Sequence, residues 1–280
     1  MYELFKTVLI LSVFGFFMTA LLLIFKPVTA KKFPAQWQCS AWIAVMLMMV
    51  IPIYHLIPAR NIQTIPLSIP AQTNELVKEE FEELYINEPY NENNLNSSEM
   101  AEEENKKVSY GIKIFDLCMY IWILGVIVFL VTVIFSYIKF IVHMKSSSVY
   151  LYGGTLLREI KNELNIKRKI RLRVSAHVKS PMLVGILFPV IYVPCREIPD
   201  EYMRMIFRHE LTHYKRKDLA VKWFSVFINA VHWFNPMAYL LRMNISEACE
   251  VACDMAVTKN MSGEEEKLYM RTILDLIEER

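Results

Sequence analysis

Three long stretches without a single Asp, Glu, Lys or Arg, at residues 7–25, 33–59 and 117–138, limit this chain more than any other feature. Each can cross a hydrocarbon layer, which takes about 20 apolar residues as a helix. In lipid the backbone has no water to bond, so such runs must be helical. A chain of 280 residues that is 54% apolar is too greasy for an ordinary water-soluble enzyme, so the expected class is a membrane α-helical bundle. The first run also has the look of a secretory leader, with Val28-Thr29-Ala30 as a weak cleavage site. Its apolar run exceeds the ~7–15 residues of a leader core and two more spans follow, so it is expected to stay.

Charge sets the expected orientation. Lys26, Lys31 and Lys32 lie between the first two runs, and Lys139 and Lys145 follow the third, with Arg158, Lys161, Lys167, Arg168 and Lys169 beyond. Basic residues favour the cytoplasmic side. Residues 74–107 instead carry eleven Glu against three Lys among many Asn and Ser, as expected of a solvated, partly disordered outer loop. The expectation is a multi-pass cell-membrane protein, N-terminus outside, with a three-span region over 1–145, an acidic extracellular loop at 60–112 and a cytoplasmic domain over 146–280. The charge segregation reports topology, and no direct nucleic-acid contact is expected.

Residues 146–258 read as mixed α+β. A short helix is predicted at 156–164, strands at 169–174 and 190–193, and a helix over 200–217 that opens on Asp200 and Glu201 and closes on Lys215, Arg216 and Lys217, matching the helix dipole. A last helix should start at Ser262, where Ser262 and Glu265 have capping-box spacing, and it runs to Arg280 with no stop signal, as in a piece of a longer chain.

His209-Glu210-Leu211-Thr212-His213 is an HExxH motif on the most clearly helical of these segments. Four residues advance a helix by about 400°, so both imidazoles leave one face and can grip one metal ion. Glu210 is the expected catalytic carboxylate, close enough to take a proton from an attacking water without being a ligand. Zinc is the expected cofactor, because it brings a water's pKa toward ~7. The motif needs a third ligand. Glu250 is the expected one and Glu247 its rival; Asp254, a turn after Glu250, would accept the free N–H of a ligating imidazole. Among Cys39, Cys118, Cys195, Cys249 and Cys253 there is no CxxC pair, and no disulfide framework is expected. Cys249 and Cys253 fall close enough to the motif to be weighed as thiolate ligands, but better ligands stand beside them.

Residues 219–241 form a fourth apolar run, broken by Lys222 alone. A single crossing would carry Glu250 to the far side of a ~30 Å core, away from the histidines. The chain must therefore return, and Asn235-Pro236 is the expected reversal, because Pro ends one helix and can open another. A helical hairpin over 219–257, packed into or against the membrane, is expected; the alternative is a cytoplasmic helix pair.

These residues resemble the BlaR/MecR antirepressor metallopeptidases, through 209–218 (HELTHYKRKD), 232–236 (HWFNP), 250–254 (EVACD) and 180–194 (SPMLVGILFPVIYVP) in that order. The resemblance implies a gluzincin-like zinc-metallopeptidase domain with a strand near 183–193 beside the active-site helix. It also implies a signalling role in which an outside stimulus leads the protein to cleave itself, and directly or indirectly removes a cytoplasmic transcriptional repressor. The lipid bilayer and a protein substrate are the expected partners, and a homodimer is compatible with the reading. The family's sensors also carry an extracellular penicillin-binding-type domain. Residues 1–280 contain none, and Ser136-Tyr137-Ile138-Lys139 matches SxxK without later partner motifs, so β-lactam sensing finds no support here. Two other readings stand beside this one: a housekeeping membrane protease of the Ste24/HtpX kind, and a non-enzymatic transducer. Tyr214, His177 and His232 are the candidates for stabilising an oxyanion, while Asp218 and Arg216 are left outside the site.

Overall fold

The computed structural model describes residues 2–52, 96–151 and 154–278. Two compact units divide the chain, residues 53–121 and the remainder. The described part of the smaller unit is the start of one long helix.

Two helices are long and apolar enough to cross a membrane, α1 (Tyr2–Lys32) and the Lys113–Ser146 portion of α3 (Asn96–Ser146). They contain the first and third uncharged runs. The second run is only partly described. Its helix α2 (Ala35–Met48) has 14 residues, and residues 53–59 lie outside the described set, as does most of the acidic loop expected at 60–112. The end of that loop differs from expectation, because residues 96–112 are already helical. Glu, Lys, Ala and Met are good helix formers, and acidic residues suit a helix N-terminus, so the segment extends the apolar helix below it rather than remaining irregular.

The α+β part contains β1 (Ser148–Tyr150), α4 (Thr155–Glu163), β2 (Arg171–Ser175), β3 (Met182–Val184) and β4 (Val190–Pro194), then α5 (Asp200–Arg216), α6 (Asp218–Val231), α7 (Pro236–Thr258) and α8 (Gly263–Glu278). The sheet runs β1-β2-β4-β3, with β2 and β4 parallel and both edges antiparallel. Three-residue β1 and β3 were too short to stand out in the sequence as strands of their own. Leu157, Ile160, Leu172, Ile191, Val193, Ile206, Phe207 and Leu211 form one core between α4, the sheet and α5.

A second core joins α2 to the α6–α7 hairpin. Ala35, Cys39, Trp42 and Met46 on α2, with Met49 just past its end, recur every three or four residues and meet Ala238, Leu241, Ile245, Ala248, Cys249 and Ala252 of α7. The small residues on α7 let the two backbones approach closely. The reversal falls where Pro236 opens α7 at its first turn and the Asn235 side chain accepts the Met237 amide. Asn235 also donates to the carbonyl and hydroxyl of Ser12, in the N-terminal half of α1. Trp233 lies directly over Gly125 of α3, where any side chain would collide with the indole.

The break between α5 and α6 is a single residue. Lys217 adopts φ 63°, and its amide bonds the His213 and Tyr214 carbonyls. A non-glycine residue in this conformation costs roughly 1–2 kcal/mol, and the sharp turn it produces brings Asp218 back beneath His213.

A candidate metal centre between two helices

α5 and α7 pack together, and their contact holds the site. His209 and His213 lie one turn apart on α5 with their Nε2 atoms 3.0 Å apart. Oε2 of Glu250, on α7, is 3.2 Å from Nε2 of His213 and 3.7 Å from Nε2 of His209. Three donors around a tetrahedral ion with bonds of ~2.0–2.1 Å would be separated by about 3.3 Å, so this triangle suits a zinc-sized ion.

The far side of each ring is held as well. Nδ1 of His213 lies 2.8 Å from the buried Asp218 carboxylate, which Arg216 also meets at 3.1 Å. Nδ1 of His209 lies 2.7 Å from the Tyr269 hydroxyl, which donates to Asp254 at 2.6 Å; Asp254 itself is 3.2 Å from the same ring nitrogen. With the Nδ1 protons directed at these acceptors, both Nε2 lone pairs face the triangle. Burial opposes charge on either imidazole, yet hydrogen bonds to Asp254 and Glu250 raise the pKa of His209, and those to Asp218, Cys253 and Glu250 raise that of His213. The neighbourhood therefore favours positive charge, which one divalent cation supplies without setting two imidazolium ions against each other.

Glu210 follows His209 on α5, where that helix packs against β3. Burial raises its pKa, the two histidines lower it, and the Leu183 backbone amide of edge strand β3 hydrogen-bonds to its carboxylate. The single strand expected near 183–193 is instead two short antiparallel strands, β3 and β4, joined by a turn at Gly185, and β3 is the one that packs on the helix.

Two of the expected alternatives go elsewhere. Glu247 is exposed and pairs with Lys26 of α1 at 2.7 Å. Cys249 faces Cys39 across the α2–α7 seam at 3.8 Å. Cys253 stays close, since its sulfur and a nitrogen from each histidine lie within 4.8 Å of one another. Its thiol donates to the His209 carbonyl at 3.5 Å, however, whereas Glu250 presents an oxygen directly to both rings. Lys222 of α6 bonds the outer oxygen of Glu250 at 2.7 Å and aims the inner one.

Of the oxyanion candidates, Tyr214 shares a cavity with His213. His232 is buried against the Met49 carbonyl, and His177 faces His143 with ring centroids 4.8 Å apart. Sequence reasoning left out Asp218, Lys222 and Tyr269. Asp218 was weighed with Arg216 and left outside, because its return beneath His213 depends on the turn at Lys217; Lys222 and Tyr269 carried no signal, because their places depend on how α6 and α8 pack.

Residues 6–280 match the family model described as BlaR1 peptidase M56. Among curated relatives, Regulatory protein BlaR1 of Bacillus licheniformis is 31% identical over 54% of this chain and 25% of its own length. Methicillin resistance mecR1 protein of Staphylococcus aureus strain Mu50 is 26% identical over 61% of this chain and 29% of its own. Regulatory protein BlaR1 of Staphylococcus aureus is 22% identical over 96% of this chain and 45% of its own. The chain thus spans less than half the length of these relatives.

Proposed function

The chain belongs to the BlaR1 peptidase M56 family, and from that premise we propose that it is an integral-membrane zinc endopeptidase of a signal-transduction system. His209, His213 and Glu250 are the metal ligands in this reading, and Glu210 is the catalytic carboxylate. Zinc held there would polarise a scissile carbonyl and acidify a water. Glu210 takes the proton of the attacking water on its carboxylate and passes it to the leaving amine nitrogen, a task suited to a pKa raised by burial. Asp218, Asp254 and Tyr269 hold the imidazoles in the tautomer that turns Nε2 toward the ion. The substrate strand runs along β3, whose Leu183 amide already serves the Glu210 carboxylate, and this supports a gluzincin-like arrangement. The substrates are the protein itself, a cytoplasmic transcriptional repressor, or both.

The observation that carries this reading is the Nε2, Nε2 and Oε2 triangle assembled from two helices 37 residues apart in sequence. The regulatory names of the relatives favour signalling over a housekeeping protease.

The three-span topology, with the catalytic domain cytoplasmic, draws on Lys31 and Lys32 in the last turn of α1 and Lys145 in that of α3. The hairpin 219–257 enters the bilayer in this reading. Its tip bonds Ser12 while its returning arm meets Lys26 through Asn244 and Glu247, so it follows α1 for 14 residues, roughly 21 Å at 1.5 Å per residue.

Zinc content and self-cleavage of the purified protein test the proposal. Glu210→Gln should keep about one zinc and lose cleavage by about 10²–10⁴-fold, Glu250→Ala should lose the metal, and Cys253→Ala should keep it. Full signalling by Glu210→Gln would replace the peptidase with a non-enzymatic transducer; metal loss in Cys253→Ala alone would move the third ligand.

A further inference from the structure

The turn joining β3 to β4 is made almost entirely of exposed apolar side chains. Gly185 turns the chain at φ +89°, and Ile186, Leu187 and Phe188 follow with 44%, 69% and 74% of their surface open. Three consecutive open apolar residues in a water-facing turn are a liability unless something covers them. The same hairpin is anchored to the end of a candidate span. Met182, Val184, Val190 and Tyr192 pack on Tyr137, Ile141 and Met144 of α3, around the point where its uncharged run gives way to Lys139 and Lys145. Tyr137 also meets Trp223 of α6 edge-on at 4.7 Å, an aromatic pair of the kind that gathers at a membrane–water boundary.

Cations surround the turn. A cavity of about 390 Å³ beside Gly185 and Ile186 reaches His213 and Leu183 of the candidate centre at one side and is lined by Lys167, Arg168, Lys215 and Lys217, and no acidic side chain lines it among the described residues. The Arg168 guanidinium donates to the Leu187 carbonyl and so ties this basic cluster to the tip.

We propose that the β3–β4 turn is a membrane-surface anchor, inserting Ile186, Leu187 and Phe188 at the headgroup–acyl boundary while Lys167, Arg168, Lys215 and Lys217 receive anionic phospholipid headgroups. An apolar tip flanked by basic residues matches the charge and depth profile of an anionic leaflet. A peptide in the cavity is the rival occupant, but Leu187 and Phe188 do not line it and would remain in water; a bilayer surface covers all three. Anchoring here would hold β3 and the HExxH helix at the bilayer surface. The inference rests on α3 crossing a bilayer and on neither metal nor catalysis.

The test uses the full chain in nanodiscs, with the exposed Cys118 and Cys195 replaced by Ser and one environment-sensitive fluorophore attached at Leu187→Cys, Val128→Cys or Glu264→Cys. In phosphatidylcholine with about a quarter phosphatidylglycerol, brominated acyl chains should quench the Leu187 label on the order of threefold more than the Glu264 label, and iodide should quench it less. Replacing the four cations with Ala should lower the bromolipid quenching. A Leu187 label that is open to iodide and untouched by bromolipid overturns the proposal, as does one shielded only when a peptide substrate is added. The Val128 label separates the two failures: if it is quenched by bromolipid the span stands and this anchor alone falls, and if it is not the spanning reading falls as well.

Discussion

The two cores of this protein are built on different principles, and the candidate metal centre takes its parts from both. The core between α4, the sheet and α5 is filled with Leu, Ile, Val and Phe in the manner of a water-soluble domain. The seam joining α2 and α7 relies on small residues, Ala238, Ala248, Cys249 and Ala252 among Trp and Met. In water, burial of large apolar groups drives packing; among membrane helices the lipid is equally apolar, and close approach of backbones takes its place. His209, His213 and Glu210 belong to the first region, while Glu250 and Asp254 arrive on the second. Anything that shifts the α7 seam therefore bears on the candidate centre.

The sharpest way to break the comparison is to make matched cavities. Leu211→Ala, in the soluble core, should cost about 2–5 kcal/mol in the thermal or denaturant unfolding of the peptidase part. Ile245→Ala, equally buried in the seam, should cost less, about 1–2 kcal/mol, because dispersion contacts are lost without a transfer from water. Equal losses would mean that the seam folds as an aqueous core and that the hairpin stays out of the bilayer. At the junction, Asp218→Asn should weaken zinc binding by about 10–100-fold while leaving the ligands in place, as read by competition with a chelating dye. An unchanged affinity would remove Asp218 from the centre. The same titration across pH probes the electrostatics: the carboxylates hold protons on His209 and His213, zinc must displace them, and affinity should fall as pH drops. Smallest of all, Ser262→Ala at the start of α8 should cost about 1 kcal/mol, since the Ser262 hydroxyl accepts the Glu265 amide at 3.3 Å and the Glu265 carboxylate accepts that of Ser262 at 2.9 Å. A larger loss would tie the α8 cap to Tyr269 and the site.

Much of this was legible in the chain. The helix at α5, the capping box of α8, the Asn235-Pro236 reversal and strands β2 and β4 lie within two residues of their expected places, because dipole charges, caps and proline act locally. The helical start of α3 was missed because a Glu-rich segment carries no hydrophobic period, whatever its backbone does. Edge strand β1 was too short to announce itself, and the family resemblance implied one strand near 183–193 where β3 and β4 form two. Lys222 and Tyr269 carried no motif, and Asp218 was set aside because only the turn at Lys217 brings it beneath His213.

By itself the sequence determined the uncharged runs, the pairing of His209 with His213 on one helical face, and the need for the chain to return Glu250 to them, since these follow from helical period and bilayer thickness. Only the tertiary structure decided that Glu250, and not Glu247, faces the histidines, that Asp218 and Tyr269 back their rings, and that an apolar turn stands open beside a basic cavity. Those outcomes depend on the rotation of one helix against another. Residues three apart on α7 face directions about 60° from one another, and no local pattern records which of them a neighbouring helix will meet.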